Sequence, residues 1–276
     1  MRFERIRLNE CFEQLSSNGA DPVLDMYFPY NMTEMHREQQ KRPCMLICPG
    51  GGYGMCSQRE AEPIALHFLP EGYNVFVLYY SVAPHRFPTQ ITEVAAAVEL
   101  IYKNSEEWNC DINKIAIMGF SAGGHLAAHY STAFDCAEVR KVFPESKSVN
   151  ASVLCYPVIT ADPEKAHMGS FQNLLGHYPE TEEELKVFSC DRLVKSTTPP
   201  AFLWHTSDDS AVPVINTLLY AEALTKYKIP VEVHIYPHGN HGLATSDNQT
   251  LDNTDQNTAH VSAWLPAVKK WLKLIF

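Results

Sequence analysis

Gly119-Phe120-Ser121-Ala122-Gly123 stands directly behind the apolar run Ile115-Ala116-Ile117-Met118 and ahead of the small-residue stretch Gly124, Leu126, Ala127 and Ala128. A strand therefore passes into a helix through G-x-S-x-G. A serine at so sharp a turn is held in strained backbone geometry that projects its hydroxyl off the edge of a sheet. Glycine is needed two residues to either side, because a Cβ there would clash inside the turn. The pentapeptide by itself is common; its position between a strand and a helix is what gives it meaning.

The rest of the chain reads as the sheet such a turn requires. Two strands are expected around Arg2–Leu8 and Val23–Tyr27, separated by Ser16-Ser17-Asn18-Gly19. From Pro43 onward strand and helix signals alternate, which predicts βαβ units and a mostly parallel sheet flanked by helices, an α/β fold. The expected strands are Met45–Cys48, Asn74–Tyr80, Ile115–Met118, Val153–Tyr156, Ala201–Trp204 and Val231–Tyr236. Ile91, Val94, Ala95, Val98 and Ile101 recur at helical spacing between Thr89 and Tyr102. Further helices are predicted at Arg59–Leu69, Val214–Tyr227 and from about Asn257 to Phe276, the last with Val261, Trp264, Leu265, Val268, Trp271 and Leu272 on one side. Residues 160–199 interrupt the rhythm and are too long for a plain connection. We read 1–276 as one domain, with 160–199 a small helical insertion over the C-terminal edge of the sheet.

A serine hydroxyl is a weak nucleophile and needs a base within hydrogen-bond reach; the base in turn needs a carboxylate to fix its tautomer. Both are sought in loops that follow later strands. After Ala201–Trp204 comes His205-Thr206-Ser207-Asp208-Asp209-Ser210-Ala211-Val212-Pro213. The block D-x-x-V-P selects Asp209 as the residue aimed at the site and leaves Asp208 as a turn or capping residue. After Val231–Tyr236 come His238 and His241. His234 alternates within the strand and reads as a sheet-face residue, whereas His241 lies between Gly239 and Gly242 in a loop free to reach Ser121. An oxyanion needs backbone N–H donors. Ala122 supplies one, and Gly51 and Gly52, in Gly50-Gly51-Gly52-Tyr53 after Met45–Cys48, supply the others. Tyr53 and Trp204 are candidates for the acyl pocket, with core packing as the alternative. Phe171, Leu174, Leu175 and Tyr178 either wall that pocket or dock the insertion.

Other patterns carry less. His125 and His129 are spaced i, i+4, but Leu126 stands where a zincin has glutamate, so packing behind the nucleophile is the better account and no metal is expected. Arg59-Glu60 reads as a surface ion pair rather than as a brace for the glycine loop. The glycine triplet lacks the G-K-[ST] of a phosphate loop. A formal charge of −10 with no basic cluster excludes a nucleic-acid surface. No apolar stretch is long enough for a bilayer span, and the charged N-terminus lacks the apolar core of a signal peptide. Eight cysteines without a C-x-x-C pair read as reduced thiols, which points to the cytoplasm. Self-association is compatible with the sequence, which does not fix an oligomeric state.

With these residues in place, the chain resembles an α/β-hydrolase-fold serine esterase of the branch that holds lipase/esterase-like and carbohydrate (xylan) acetylesterase-like enzymes. The resemblance runs from Pro49–Tyr53 through Gly119–His125 and His205–Pro213 to Gly239–Gly242. Pro49 replaces the histidine of the H-G-G-G found in hormone-sensitive-lipase-like esterases, and Phe120 stands where many have aspartate, which favours the carbohydrate-esterase-like branch. The resemblance implies hydrolysis of short acyl esters, acetylated sugars first among them, without metal or organic cofactor. The rivals are a serine peptidase of the prolyl-oligopeptidase type, whose large extra domain does not fit in 276 residues, and a catalytically silent hydrolase scaffold.

Overall fold

In the computed structural model, residues 1–251 and 258–276 are described. Eight segments join one sheet: β1 (Arg2–Arg7), β2 (Val23–Phe28), β3 (Arg42–Cys48), β4 (Asn74–Tyr79), β5 (Cys110–Phe120), β6 (Ala151–Cys155), β7 (Ala201–Thr206) and β8 (Val231–Tyr236). Their spatial order is β1-β2-β4-β3-β5-β6-β7-β8. The pairs β1–β2 and β2–β4 are antiparallel, and β3 to β8 with β4 form a parallel array. Parallel pairing forces crossovers through helices, so both sheet faces are covered and the central strands are apolar throughout. The fold is that of an α/β-hydrolase.

The helices are α1 (Leu8–Cys11), α2 (Glu62–Phe68), α3 (Thr89–Lys103), α4 (Ser121–Ala133), α5 (Ala137–Val142), α6 (Met168–Leu175), α7 (Glu182–Phe188), α8 (Cys190–Leu193), α9 (Ile215–Lys226) and α10 (Trp264–Ile275). Period-two alternation along β5 divides the core. Ile115 and Ile117 join the face covered by α3 and α4, while Ala116, Met118 and Phe120 join the face covered by α2 and α10. All five residues of the predicted α3 stripe are buried, as are all six of the stripe that ends in α10. The predicted start of that last helix at Asn257 lies outside the described residues. No helix among the described residues is long and apolar enough to cross a membrane.

Four elements depart from expectation, among them α1 (Leu8–Cys11), a helical turn that starts at the residue where the first strand was expected to end. Strand β5 starts at Cys110 because Arg42 pairs with it across a register shift, drawing the polar stretch Asp111–Lys114 into the strand. The helix predicted from Arg59 begins at Glu62, behind a 3₁₀ turn over Gln58–Glu60 and with proline in its first turn. Helix α5 has no counterpart in the sequence reading. Between β6 and β7, residues 160–199 hold α6, α7 and α8, and Thr181 and Glu184 form a reciprocal capping box at the start of α7. Phe171 and Leu174 are buried and dock this segment, whereas Tyr178 is exposed.

Trp264 joins the core to the loop after β8. Its ring stacks on Trp204 at 5.3 Å, and its Nε1–H donates to the Ala244 carbonyl at 3.0 Å. It is fully buried, so Trp264→Ala is expected to lower the free energy of urea unfolding by about 3–5 kcal/mol. A loss below about 1 kcal/mol would contradict the packing described.

Candidate active site

Register delivers several loops to one place. Cys48 pairs with Gly119, Phe120 with Cys155, Cys155 with Trp204, and Thr206 with Tyr236, so β3, β5, β6, β7 and β8 end along a single edge. In an open α/β sheet that carboxyl edge is where ligands bind.

The turn between β5 and α4 is as tight as its glycines imply. A Cβ on Gly119 would lie 2.1 Å from the Gly123 carbonyl oxygen, and a Cβ on Gly123 would lie 2.2 Å from that of Cys48. Ser121 sits at φ +52°, a left-handed conformation uncommon for any residue but glycine, asparagine and aspartate. Its Oγ–H donates to His241 Nε2 at 2.7 Å, and His241 Nδ1–H donates to Asp209 Oδ2 at 2.6 Å. A carboxylate only accepts, so the proton belongs on Nδ1 and the Nε2 lone pair faces the serine.

Asp209 is held from several sides. Oδ1 accepts from the N–H groups of Ala211 and Val212, both at 2.9 Å. Oδ2 also lies 3.3 Å from Nε2 of the buried His205. His205 Nε2–H donates to the Val212 carbonyl, and its Nδ1 accepts from the Thr217 hydroxyl. Burial opposes ionisation of Asp209, but the hydrogen bonds of His205, His241 and Val212 outweigh it and hold the carboxyl below the usual carboxylate range. Asp208, by contrast, is a loop fastener. It accepts from the Gly239 N–H at 2.8 Å and faces exposed His238 at 3.1 Å. His234 bonds to Glu232 within β8.

Gly50, in the glycine loop after β3, packs against Ser121: a Cβ on it would lie 3.0 Å from Ser121 Cβ. Gly51 and Gly52 have φ of +123° and +62°, and the Gly51 carbonyl accepts from Gly54 and Met55. Among the described residues no acceptor faces the N–H groups of Gly51, Gly52 or Ala122. From the insertion, Asn173 Nδ2–H donates to the Gly52 carbonyl at 2.9 Å, and His167 and Ser170 lie beside Gly52.

Two pocket candidates need correction. Tyr53 and Trp204 are 1% and 0% exposed, so neither lines an open surface. Tyr53 turns into the core, where its hydroxyl donates to His125 Nδ1 at 2.8 Å, while His125 Nε2–H donates to the Phe188 carbonyl. Desolvation lowers the pKa of His125 to about 4 and that of His129 to about 3, so both pack as neutral imidazoles. Trp204 is sandwiched between Trp264 and Tyr156. The surface reading of Glu60 is also overturned. Its carboxylate is buried and accepts from the Gly50 N–H and the Tyr156 hydroxyl, each at 2.7 Å. The brace reading of Glu60, set aside in the sequence, is the one its contacts support, whereas Tyr156 and His205 carried no role in the sequence reading. For Tyr156 and His205 the local signal is polar chemistry at or beside a strand end.

This geometry has relatives. Residues 24–224 match the BD-FAE family. The chain is 40% identical over 233 residues to endo-1,4-beta-xylanase B of Butyrivibrio fibrisolvens, a match over 81% of this chain and 36% of that protein. It is 34% identical over 200 residues to an acetylxylan esterase of Xylanibacter ruminicola, over 71% of this chain and 40% of that one. The chain thus spans well under half the length of these two curated relatives. A solved acetyl ester-xyloside bifunctional hydrolase from Caldicellulosiruptor lactoaceticus superposes with a TM-score of 0.84 at 37% identity, covering 99% of this chain and 96% of that one. The family match covers most of the chain, and the relatives' identity and shared architecture agree with it: this chain belongs to the BD-FAE family of α/β-hydrolases.

Proposed function

We propose that the protein is a serine carboxylic-ester hydrolase that removes short acyl groups, acetyl above all, from acylated sugars or oligosaccharides. The observation that carries this reading is the unbroken run Ser121 Oγ–His241–Asp209, at 2.7 and 2.6 Å. In this reading Ser121 attacks the ester carbonyl as His241 Nε2 takes its proton. Asp209 holds the imidazole in the required tautomer and stabilises the imidazolium. The N–H groups of Gly51, Gly52 and Ala122 receive the developing oxyanion, a contribution of about 10²–10³ in rate per donor in comparable sites. Collapse of the tetrahedral adduct returns the proton from His241 to the leaving alcohol and leaves an acyl-serine, which water hydrolyses by the same steps.

The substrate class is supported by the names of the similar acetylxylan esterase and acetyl ester-xyloside hydrolase, and by the half-buried His167 and Asn173 beside Gly52. Polar side chains there suit a hydroxyl-rich alcohol better than a lipid chain. The xylanase name belongs to a protein most of which lies outside the match. We take residues 1–276 to act as one domain, with 160–199 as its small cap.

Ser121→Ala and His241→Ala are each expected to lower kcat on p-nitrophenyl acetate by about 10⁴–10⁶, with the double variant little worse, because the two act as a unit. Near-additive losses would point to a different base. Chain-length selectivity tests the acyl group: p-nitrophenyl acetate should be cleaved at least about tenfold faster than octanoate, one missing pocket contact being worth about 1–3 kcal/mol. Acetate release from acetylated xylo-oligosaccharides, abolished in Ser121→Ala, tests the alcohol. A preference for long acyl chains would exclude the acetylesterase assignment.

A further inference from the structure

Gly50, one residue ahead of the candidate oxyanion donors, has no room for a side chain. A Cβ there would lie 2.7 Å from Glu60 Oε2 and 3.0 Å from Ser121 Cβ. The space is taken by a carboxylate that is 3% exposed. Glu60 Oε2 accepts from the Gly50 N–H at 2.7 Å, and Oε1 accepts from the Tyr156 hydroxyl at 2.7 Å. The Tyr156 oxygen accepts in turn from the Ala244 N–H at 2.9 Å. One hydrogen-bonded chain therefore runs beneath the site from the loop after β3, past the end of β6, to the loop that carries His241.

Each anchor is pinned separately. The Gly50 carbonyl accepts from Ser57, the Tyr156 N–H donates to the Trp204 carbonyl, and the Ala244 carbonyl accepts from Trp264. Tyr156 has φ +37°, sparsely populated for an aromatic residue, and its ring meets His241 edge-on at 5.0 Å between centroids.

We propose that Glu60 is a positioning residue for ester hydrolysis: by clamping Gly50 directly and Ala244 through Tyr156, it fixes the oxyanion donors relative to His241. The inference rests on the esterase reading above. A carboxylate suits the task because it offers acceptors in both directions, whereas a carboxamide has one acceptor oxygen and would turn a donor toward another donor. Burial is the largest influence and leaves the Glu60 carboxyl above its ordinary range, an effect that Tyr156, Gly50 and the nearby His241 only partly offset. The carboxylate also attracts the imidazolium that forms on His241 during proton transfer.

The test compares the unmodified protein with Glu60→Gln and Tyr156→Phe, in p-nitrophenyl acetate kinetics and in inhibition by phenylboronic acid. The boronate forms a tetrahedral serine adduct and so reads the oxyanion geometry. Glu60→Gln is expected to lower kcat by about 10- to 100-fold, with KM within about threefold and the boronate Ki raised by a factor comparable to the kcat loss. Tyr156→Phe should lose less in the same direction, because Gly50 keeps its partner. A Glu60→Gln kcat within about threefold of the parent, or a loss of kcat with the boronate Ki unchanged, overturns the proposal. If Glu60→Gln does not fold, Tyr156→Phe decides by the same criteria. An inactive parent would overturn the esterase reading itself, so the two failures are distinguishable.

Discussion

The end of β5 leaves no space for side chains. With Gly119 against the Gly123 carbonyl and Gly123 against the Cys48 carbonyl, the Ser121 turn and the start of the glycine loop are pressed together backbone to backbone. That contact brings Gly50 against Ser121, which stands at positive φ. The other parts of the site are referred to it. Parallel register carries Asp209 and His241 to the same edge, and the insertion after β6 closes over the glycine loop through Asn173.

Around this turn the polar groups are handled in two ways. Asp209 sits in a nest of donors (two backbone N–H groups and two imidazoles), which keeps it ionised and aimed at His241 Nδ1. Glu60 is covered by Gly50 and Tyr156 alone, and its burial penalty is correspondingly less offset. A buried carboxylate is retained only where its partners repay desolvation. Here those partners are the backbone and side chain that link the glycine loop after β3 to the loop that carries His241. His125 illustrates a third treatment: a histidine on α4, fully buried and kept neutral, that fixes Tyr53 and the carbonyl of Phe188.

Much of this was legible in the chain. The 3.6-residue stripes of α3 and α10 and the short apolar strands reflect burial directly, so periodicity finds them. Ser121, Asp209 and His241 stand out as candidates because each falls behind a strand, and parallel topology brings the three within hydrogen-bond distance. What escaped depends on partners distant in sequence. Arg59-Glu60 looks like a surface pair until Gly50 and Tyr156, ten and ninety-six positions from Glu60, close on the carboxylate. Tyr53 and Trp204 stand next to catalytic candidates in the chain but point into the two cores, and adjacency says nothing about direction. The early start of β5 follows from pairing with Arg42, not from its own polar residues.

The central claim is that Ser121 is the reacting nucleophile, and covalent trapping addresses it most directly. Treatment with a fluorophosphonate, digestion and peptide mass spectrometry should find one adduct, on the peptide that contains Ser121. Ser121→Ala should carry none, and His241→Ala should label far more slowly. An adduct on a different residue, or no adduct on the folded unmodified protein, would contradict the account.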